Sequence, residues 1–253
     1  MCAVVRSLRT AHCWQTASVD RTVKLWQVAT GSEVRTLSGL TGSVYGVVFT
    51  VDGKHIISAS DDKTARVWDV ASGTPVHTLS LPGQGFSVAL SASGTLLAVG
   101  CMEGMVALFD VAKGYTPMST FTAHAGASRY MFRLCFSPVA GSALLVTCSA
   151  SENEAKVWDL SNMTAAVAAA PKPVAVLRGH TTGILDVRFS GDGALIATAS
   201  RDKTVKLYDA VTGRELRTLT GHTSTVWVVA FHPTDSGVLA SCGSDKTARV
   251  WAA

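Results

Sequence analysis

Charge is scarce in this chain: Asp, Glu, Lys and Arg make up 16% of its 253 residues, where an ordinary globular domain carries roughly 25%. That deficit, with a positive mean hydropathy of +0.28, raises a membrane protein first, but long apolar runs are lacking too. No uninterrupted stretch approaches the ~18–20 apolar residues a spanning helix needs. The longest are Val226–Phe231 and the alanine-rich 165–170, which runs into Pro171-Lys172-Pro173. The opening Met1-Cys2-Ala3-Val4-Val5-Arg6 lacks the basic-then-apolar layout and cleavage site of a secretory signal. A cytoplasmic or nuclear chain, not a secreted one, is the expectation. The six cysteines show no Cys-x-x-Cys spacing, and a chain of this length needs no disulfide framework. No Gly-rich phosphate loop, metal-ligand cluster or spaced carboxylate pair appears, so neither a cofactor nor an active site is expected. Net charge, at +4, is too mild to indicate nucleic acid by itself.

What the chain does have is repetition. An aromatic recurs about every 40 to 50 residues, the period of repeat architectures: Trp26, Trp68, Phe109, Trp158, Tyr208 and Trp251. Each closes a run of alternating apolar and basic residues, such as Asp62-Lys63-Thr64-Ala65-Arg66-Val67-Trp68 or Asp202-Lys203-Thr204-Val205-Lys206-Leu207-Tyr208. Period two marks a strand with one buried and one wetter face. A second apolar strand precedes it (His55–Ser60, Leu195–Ser200) across a tight turn, making a hairpin. A third lies further upstream (Val44–Phe49, Ile184–Phe189), and a Thr-Gly or Ser-Gly turn after the aromatic leads into a fourth. Four antiparallel strands per repeat, with no helical period, predict an all-β chain.

Gly179-His180 and Gly221-His222 open two repeats, and Trp68-Asp69 and Trp158-Asp159 close two others. In these features, and in six copies across essentially the whole chain, the sequence resembles the WD-repeat (WD40) family of β-propellers. The resemblance implies a single domain over 1–253, a ring of four-stranded blades around a channel. It also implies a buried hydrogen-bond chain in each blade, running from the turn Asp through His and a hydroxyl to the indole N–H. Blade six carries the full set, His222, Ser241, Asp245 and Trp251; blade five has His180, Thr198 and Asp202, with Tyr208 for the Trp. Blade two has Ser58, Asp62 and Trp68, with Leu40 in the His place; Ser60 competes with Ser58 for the hydroxyl role. Blade four keeps His124 and Trp158 but sets Cys148 and Glu152 at the other two places, and blade three has Val99, Glu103 and Phe109. A His–Asp–Ser set invites a hydrolase reading, but one that recurs in hairpin after hairpin is structural.

The resemblance places partner contacts where the first strand of each blade meets the channel mouth: Ala3, Tyr45, Phe86, Phe132, Leu185 and Trp227. Four of the six are aromatic, against 7% of the chain. Either the rings plug the channel, or they line a pocket for an Arg, Lys or apolar side chain of a partner peptide. A second ring precedes each turn acid: Val19, Asp61, Met102, Ser151, Arg201 and Ser244. Asp61 and Met102 beside Tyr45 and Phe86 make an acidic–apolar sector suited to a basic side chain, and Arg201 near Leu185 a basic one.

Blade four is irregular, with extra residues in 125–130 and an extended, low-complexity connection over 161–173. After Trp251 come only Ala252 and Ala253, so the outer strand of blade six is expected to be absent. Two explanations stand: a fragment, or a six-bladed ring closed by face-to-face contact alone. The open outer edge is a candidate for self-association. A non-catalytic scaffold that presents its faces to other proteins is the expected function. An RNA-, RNP- or chromatin-associated subunit is the alternative, with the mild basic balance as its only direct support; Lys24, Arg66, Lys156, Lys206 and Arg249, two residues before the aromatics, recur at corresponding places on successive blades and read as a solvated or groove-lining structural set, not a phosphate track. A ubiquitin-ligase receptor is disfavoured, because Ala71 and Ser161 stand where Trp-Asp-x-Arg would place its Arg.

Overall fold

The computed structural model describes residues 2–7, 13–125, 132–163 and 170–253. They form 23 strands in six antiparallel sheets, each made of strands consecutive in the chain. Sheet one joins β1 (Cys2–Ser7), β2 (Cys13–Ser18), β3 (Val23–Gln27) and β4 (Glu33–Leu37); sheet two joins β5 (Val44–Phe49), β6 (His55–Ser60), β7 (Thr64–Asp69) and β8 (Pro75–Ser80). Sheet three holds β9 (Gly85–Leu90), β10 (Leu96–Cys101), β11 (Met105–Asp110) and β12 (Thr116–Thr122); sheet four, β13 (Phe132–Phe136), β14 (Leu144–Ser149), β15 (Ala155–Asp159) and β16 (Pro173–Leu177). Sheet five holds β17 (Ile184–Phe189), β18 (Leu195–Ser200), β19 (Val205–Asp209) and β20 (Glu215–Leu219). Sheet six has three strands, β21 (Val226–Phe231), β22 (Val238–Gly243) and β23 (Ala248–Ala252). This is the expected propeller of six blades with three strands in the last.

The blades stack in chain order, with the first strand of each beside the first strand of the next. Burial falls from the inner strands outward: β6 is buried in five of six positions, whereas β8 buries only Leu79. Strands covered on both faces read as nearly continuous apolar runs, which accounts for the high hydropathy without a membrane. Among the described residues, no helix is long and apolar enough to cross one. Each junction pairs aliphatic residues of one blade with an aromatic-bearing face of the next; Leu25 and Val23 of sheet one meet Ile56, Phe49 and Trp68 of sheet two. A fully buried Ile or Leu in such a layer contributes ~1.5–3 kcal/mol.

Polar ties reinforce the apolar layers. The Val229 N–H donates to Asp186 Oδ2 (3.2 Å), and the Leu134 N–H to Ser87 Oγ (3.4 Å), each across a blade boundary. Asp186 is almost wholly buried and pairs with Arg188 at 3.2 Å. At the corresponding place in sheet two stands Gly46, where a Cβ would sit 3.0 Å from the Ser87 Cα and the Val88 N, so that a side chain there would press on the backbone of the next blade.

Candidate partner-binding site

The hydrogen-bond chains are built on the hairpin of the second and third strands. In sheet six, His222 Nδ1 lies 2.7 Å from Asp245 Oδ2 and its Nε2 lies 2.8 Å from Ser241 Oγ, which accepts from Trp251 Nε1 at 2.8 Å. In sheet five, His180 joins Asp202 and Thr198, both at 2.7 Å, and the Tyr208 hydroxyl is buried with no well-formed hydrogen bond among the described residues. In sheet two, Trp68 donates to Ser58 at 2.9 Å, whereas Ser60 Oγ accepts from the Asp62 N–H. Leu40 is packed in the apolar layer, and Asp62 binds Thr41 and Thr64 directly. Burial pushes the Asp202 carboxyl up, but hydrogen bonds from His180 and Thr204 outweigh it and hold the group well below the usual carboxylate range. The same balance, with His222 and Thr247, lowers Asp245.

Sheet four corrects the sequence alignment. Thr147, not Cys148, binds both His124 Nε2 and Trp158 Nε1, each at 2.9 Å, and Glu152 meets His124 Nδ1 at 2.6 Å. The hydroxyl in these chains always faces the basic residue of the neighbouring strand, as in Ser58–Arg66, Thr198–Lys206 and Ser241–Arg249. Thr147 pairs with Lys156 in the same way. Sheet four has one more residue in its turn than sheet five, and counting back from the acid therefore lands one residue late. The longer Glu side chain reaches across the difference.

Sheet three has no such chain, and its turn differs. In four other hairpins the left-handed residue follows the turn acid: Arg21, Lys63, Lys203 and Lys246. In sheet three the acid itself, Glu103, is left-handed (φ 62°), followed by Gly104 at φ 69°. Gly104 is pressed against the backbone of His124, whose N–H it accepts along with that of Ala123. A Cβ there would overlap the His124 carbonyl oxygen. The chain is thus turned so that Glu103 is exposed instead of entering the blade.

Glu103 lines a cavity of about 450 Å³ between sheets two and three, together with Tyr45, Asp61, Phe86, Met102 and Met105. Lys63, Pro82, Gly83 and Gln84 complete the wall. The Tyr45 and Phe86 rings are 5.2 Å apart and tilted by 43°. Both sit on bulges: the register jumps from Val44↔Ser60 to Gly46↔Ala59, and from Ser87↔Gly100 to Gly85↔Cys101. An extra residue in one strand twists it locally and re-aims the side chain it carries. Asp61 is seated on Gly42, where any Cβ would collide with the Asp61 carboxylate. Among the described residues, neither the Asp61 nor the Glu103 carboxylate takes a hydrogen bond or ion pair.

Of the partner-contact residues read from the sequence, the structure gathers Tyr45, Asp61, Phe86 and Met102 in this one cavity. Leu185 and Trp227 occupy equivalent bulges, but Leu185 is fully buried, and Trp227 is 39% exposed with its indole donating to Ser244. Arg201 is exposed at its turn and lies outside the cavity. The side chains of Ala3 and Phe132, most of 125–130 and the 164–169 part of the long connection lie outside the described residues. Sequence reasoning missed Glu103, Met105 and Lys63 as lining residues; the departure of sheet three from the Asp pattern was the available signal.

The basic residues before the aromatics are engaged within the chain. Lys24 pairs with Glu33 (2.6 Å) and Lys206 with Glu215 (2.8 Å), Arg66 donates to the Gly39 carbonyl and Lys156 to that of Ala123. Lys24, Arg66 and Arg249 also lie over the rings of Trp26, Trp68 and Trp251 at 5.8–6.0 Å.

Comparison with known proteins agrees with this architecture. The family described as "WD domain, G-beta repeat" matches residues 31–69, 171–209 and 213–252. The chain carries WD repeats in these three places. It is 41% identical over 135 residues to the Nuclear distribution protein PAC1 of Arthroderma benhamiae, covering 50% of this chain and 27% of that protein. Similarity to the Denticleless protein homolog of Danio rerio is 27% over 285 residues, 95% of this chain and 42% of the other. To the Transcriptional corepressor LEUNIG_HOMOLOG of Arabidopsis thaliana it is 42% identical over 73 residues. The WD-repeat chain thus spans about a quarter to a half of the length of these PAC1 and Denticleless relatives. Repeats of this kind serve as protein-interaction modules.

Proposed function

We propose that residues 1–253 act as one non-catalytic adaptor domain whose cavity between blades two and three receives a lysine or arginine side chain of a partner protein. One observation carries this reading: two carboxylates without partners among the described residues, Asp61 and Glu103, stand over a cavity walled by Tyr45, Phe86 and two methionines. Aromatic faces attract a cation, methionines adapt to a flexible aliphatic stem, and the acids complete the charge. Lys63 at the rim admits one cation more readily than a dense cluster. A relative named as a transcriptional corepressor supports assembly with other proteins. The repeated cations add nothing to the RNA-associated alternative, since Lys24, Lys206, Arg66 and Lys156 are held by Glu33, Glu215 and backbone carbonyls.

The test is an array of capped peptides carrying one Arg or Lys among apolar residues, with citrulline and norleucine counterparts. Wild-type chain is expected to retain the basic peptides preferentially. Asp61→Lys together with Glu103→Lys should weaken that retention about tenfold or more, equivalent to ~1.4 kcal/mol. Equal retention of basic and neutral peptides, or binding indifferent to the double variant, rejects the assignment.

A further inference from the structure

Blades five and six meet in the same register as blades two and three, yet the mouth of their junction has the opposite character. The bulges align the two places. Tyr45 of β5 and Leu185 of β17 are the residues skipped by the pairing, and Trp227 of β21 holds the place of Phe86 in β9. The residue before the turn acid is Asp61 in blade two and Arg201 in blade five, and the left-handed residue after it is Lys63 and Lys203 respectively. Pro82-Gly83-Gln84, which wall the cavity ahead of β9, correspond to Thr223-Ser224-Thr225 ahead of β21, and Met102 corresponds to Ser244. An acid has become an arginine, and a wall of apolar and backbone groups has become one of hydroxyls.

Arg201 and Lys203 are exposed, and among the described residues neither side chain enters a hydrogen bond or an ion pair. That sets them apart from Lys24, Lys206, Arg66 and Lys156, which the chain holds on its own acceptors. The backbone explains why Arg201 stays outward. Asp61 is seated on Gly42, but the same place in blade five is Thr182, whose side chain fills that seat. The turn acids of the two blades are already committed. Asp202 accepts from the Thr181 and Thr204 N–H groups and meets His180, while Asp245 accepts from those of Thr223 and Thr247 and meets His222. The hydroxyls of Thr223, Ser224 and Thr225 enter no hydrogen bond among the described residues, and none of the three residues is buried. Leu185 is fully buried and closes the floor, leaving a polar rim.

We propose that this rim receives carboxylate side chains from an acidic segment of a partner protein. Arg201 and Lys203 supply the charge, and the three hydroxyls donate to the carboxylate oxygens. The guanidinium offers paired N–H donors that match a carboxylate, and complementary charge fixes the register of a partner. Two free cations at one junction suit a carboxylate or a pair of them, whereas a nucleic-acid backbone needs a longer cationic track. The inference rests on the adaptor reading only in taking the ligand to be a protein; it is independent of what enters the cavity between blades two and three.

Fluorescence anisotropy with capped, labelled peptides tests this on the whole chain. One peptide carries a pair of Glu residues among apolar ones, a second has Gln and a third phosphoserine at those places, and a single-stranded RNA oligonucleotide is run beside them. The variants are Arg201→Gln with Lys203→Gln, and Asp61→Lys with Glu103→Lys; an unchanged circular dichroism spectrum and melting curve would show each folded. Wild type is expected to bind the Glu peptide about fivefold or more tightly than the Gln peptide. That difference should shrink as salt is raised and vanish in the Arg201/Lys203 variant. The Asp61/Glu103 variant should keep it, which separates the two sites: a failure with basic peptides concerns the cavity, a failure with acidic peptides concerns this rim. Equal binding of Glu and Gln peptides by wild type, or acidic binding indifferent to Arg201 and Lys203, overturns the proposal. Where that variant does not fold, a Glu preference of wild type that persists undiminished at high salt overturns it as well. Binding of the phosphoserine peptide or the RNA, with none of the Glu peptide, overturns the carboxylate assignment in favour of phosphate.

Discussion

In blade six the turn acid, Asp245, faces inward, accepts from the Thr223 and Thr247 N–H groups and orients His222 toward Ser241 and Trp251. In blade three the acid at the corresponding turn, Glu103, faces outward into the mouth of a cavity, with no partner among the described residues. The hairpins share a topology; what differs is whether the blade interior offers anything to bind. Val99, Ala107 and Phe109 present no donor to an inward carboxylate, and a buried, unpaired charge costs several kcal/mol. The backbone adopts a left-handed Glu instead, a conformation that costs about 1–2 kcal/mol in an L residue. An acid released from structural duty thereby lines the same cavity as Asp61, and blade three gives up a stabilising network where the proposed site lies.

That contrast breaks most sharply on deletion of the acids. Asp202→Ala leaves His180 and Thr198 buried with an unmet partner and should lower unfolding stability by about 2–3 kcal/mol in urea denaturation. Glu103→Ala should leave stability unchanged, or raise it slightly, and weaken retention of basic peptides. Equal losses from the two substitutions would mean that blade three's acid is structural after all. Acid titration gives a second handle. The Asp202 carboxyl is held below its ordinary value of 3.8 in the folded chain. Its contribution is therefore complete above that value and is lost as pH falls below it toward the depressed folded value. Wild type should lose stability over that acid range more steeply than Asp202→Asn, and parallel curves would remove the carboxylate from the account.

Much of this was legible because repetition converts register into evidence. Period-two runs and recurring aromatics mark the strands, and the His222–Asp245 and His180–Asp202 partnerships sit at nearly the same offset, 23 and 22 residues, in adjacent repeats. What resisted reading were single-residue changes of length. One extra residue in the turn before Glu152 moved the hydroxyl from Cys148 to Thr147. Bulges at Tyr45 and Phe86 lie within strands whose apolar pattern continues unbroken, so the sequence alone does not reveal how the rings are aimed. Exposure was equally hidden: Val250 and Val67 have the same neighbours in sequence, and only the presence of a following blade separates 76% from 0% exposure.

A smaller effect sharpens the same comparison from the backbone side. Gly104 combines a positive φ of 69° with direct apposition to the His124 carbonyl. Gly104→Ala should cost about 1–2 kcal/mol through strain and displacement, and should shift Glu103 and weaken basic-peptide retention together. The equivalent turn residue of blade two, Lys63, already tolerates φ 64° with a side chain, so Lys63→Ala should be nearly neutral for stability. A harmless Gly104→Ala would show that Glu103 is not set outward by that contact.

The smallest predicted effect has the opposite sign. Blade five keeps His180, Thr198 and Asp202 but has Tyr208 in place of the indole, and the ring is fully buried while its hydroxyl lies near Thr198 without making a well-formed hydrogen bond among the described residues. Burial raises the Tyr208 hydroxyl well above the usual tyrosine range, so it stays neutral, a desolvated group that returns nothing in the folded state. Tyr208→Phe keeps the packing against Ile196 and Val187 and removes that liability. Stability should rise by up to ~1 kcal/mol, read as a higher urea midpoint with unchanged slope. Tyr208→Phe falling below wild type would show that the hydroxyl is engaged in solution and that blade five's chain extends further than His180, Thr198 and Asp202.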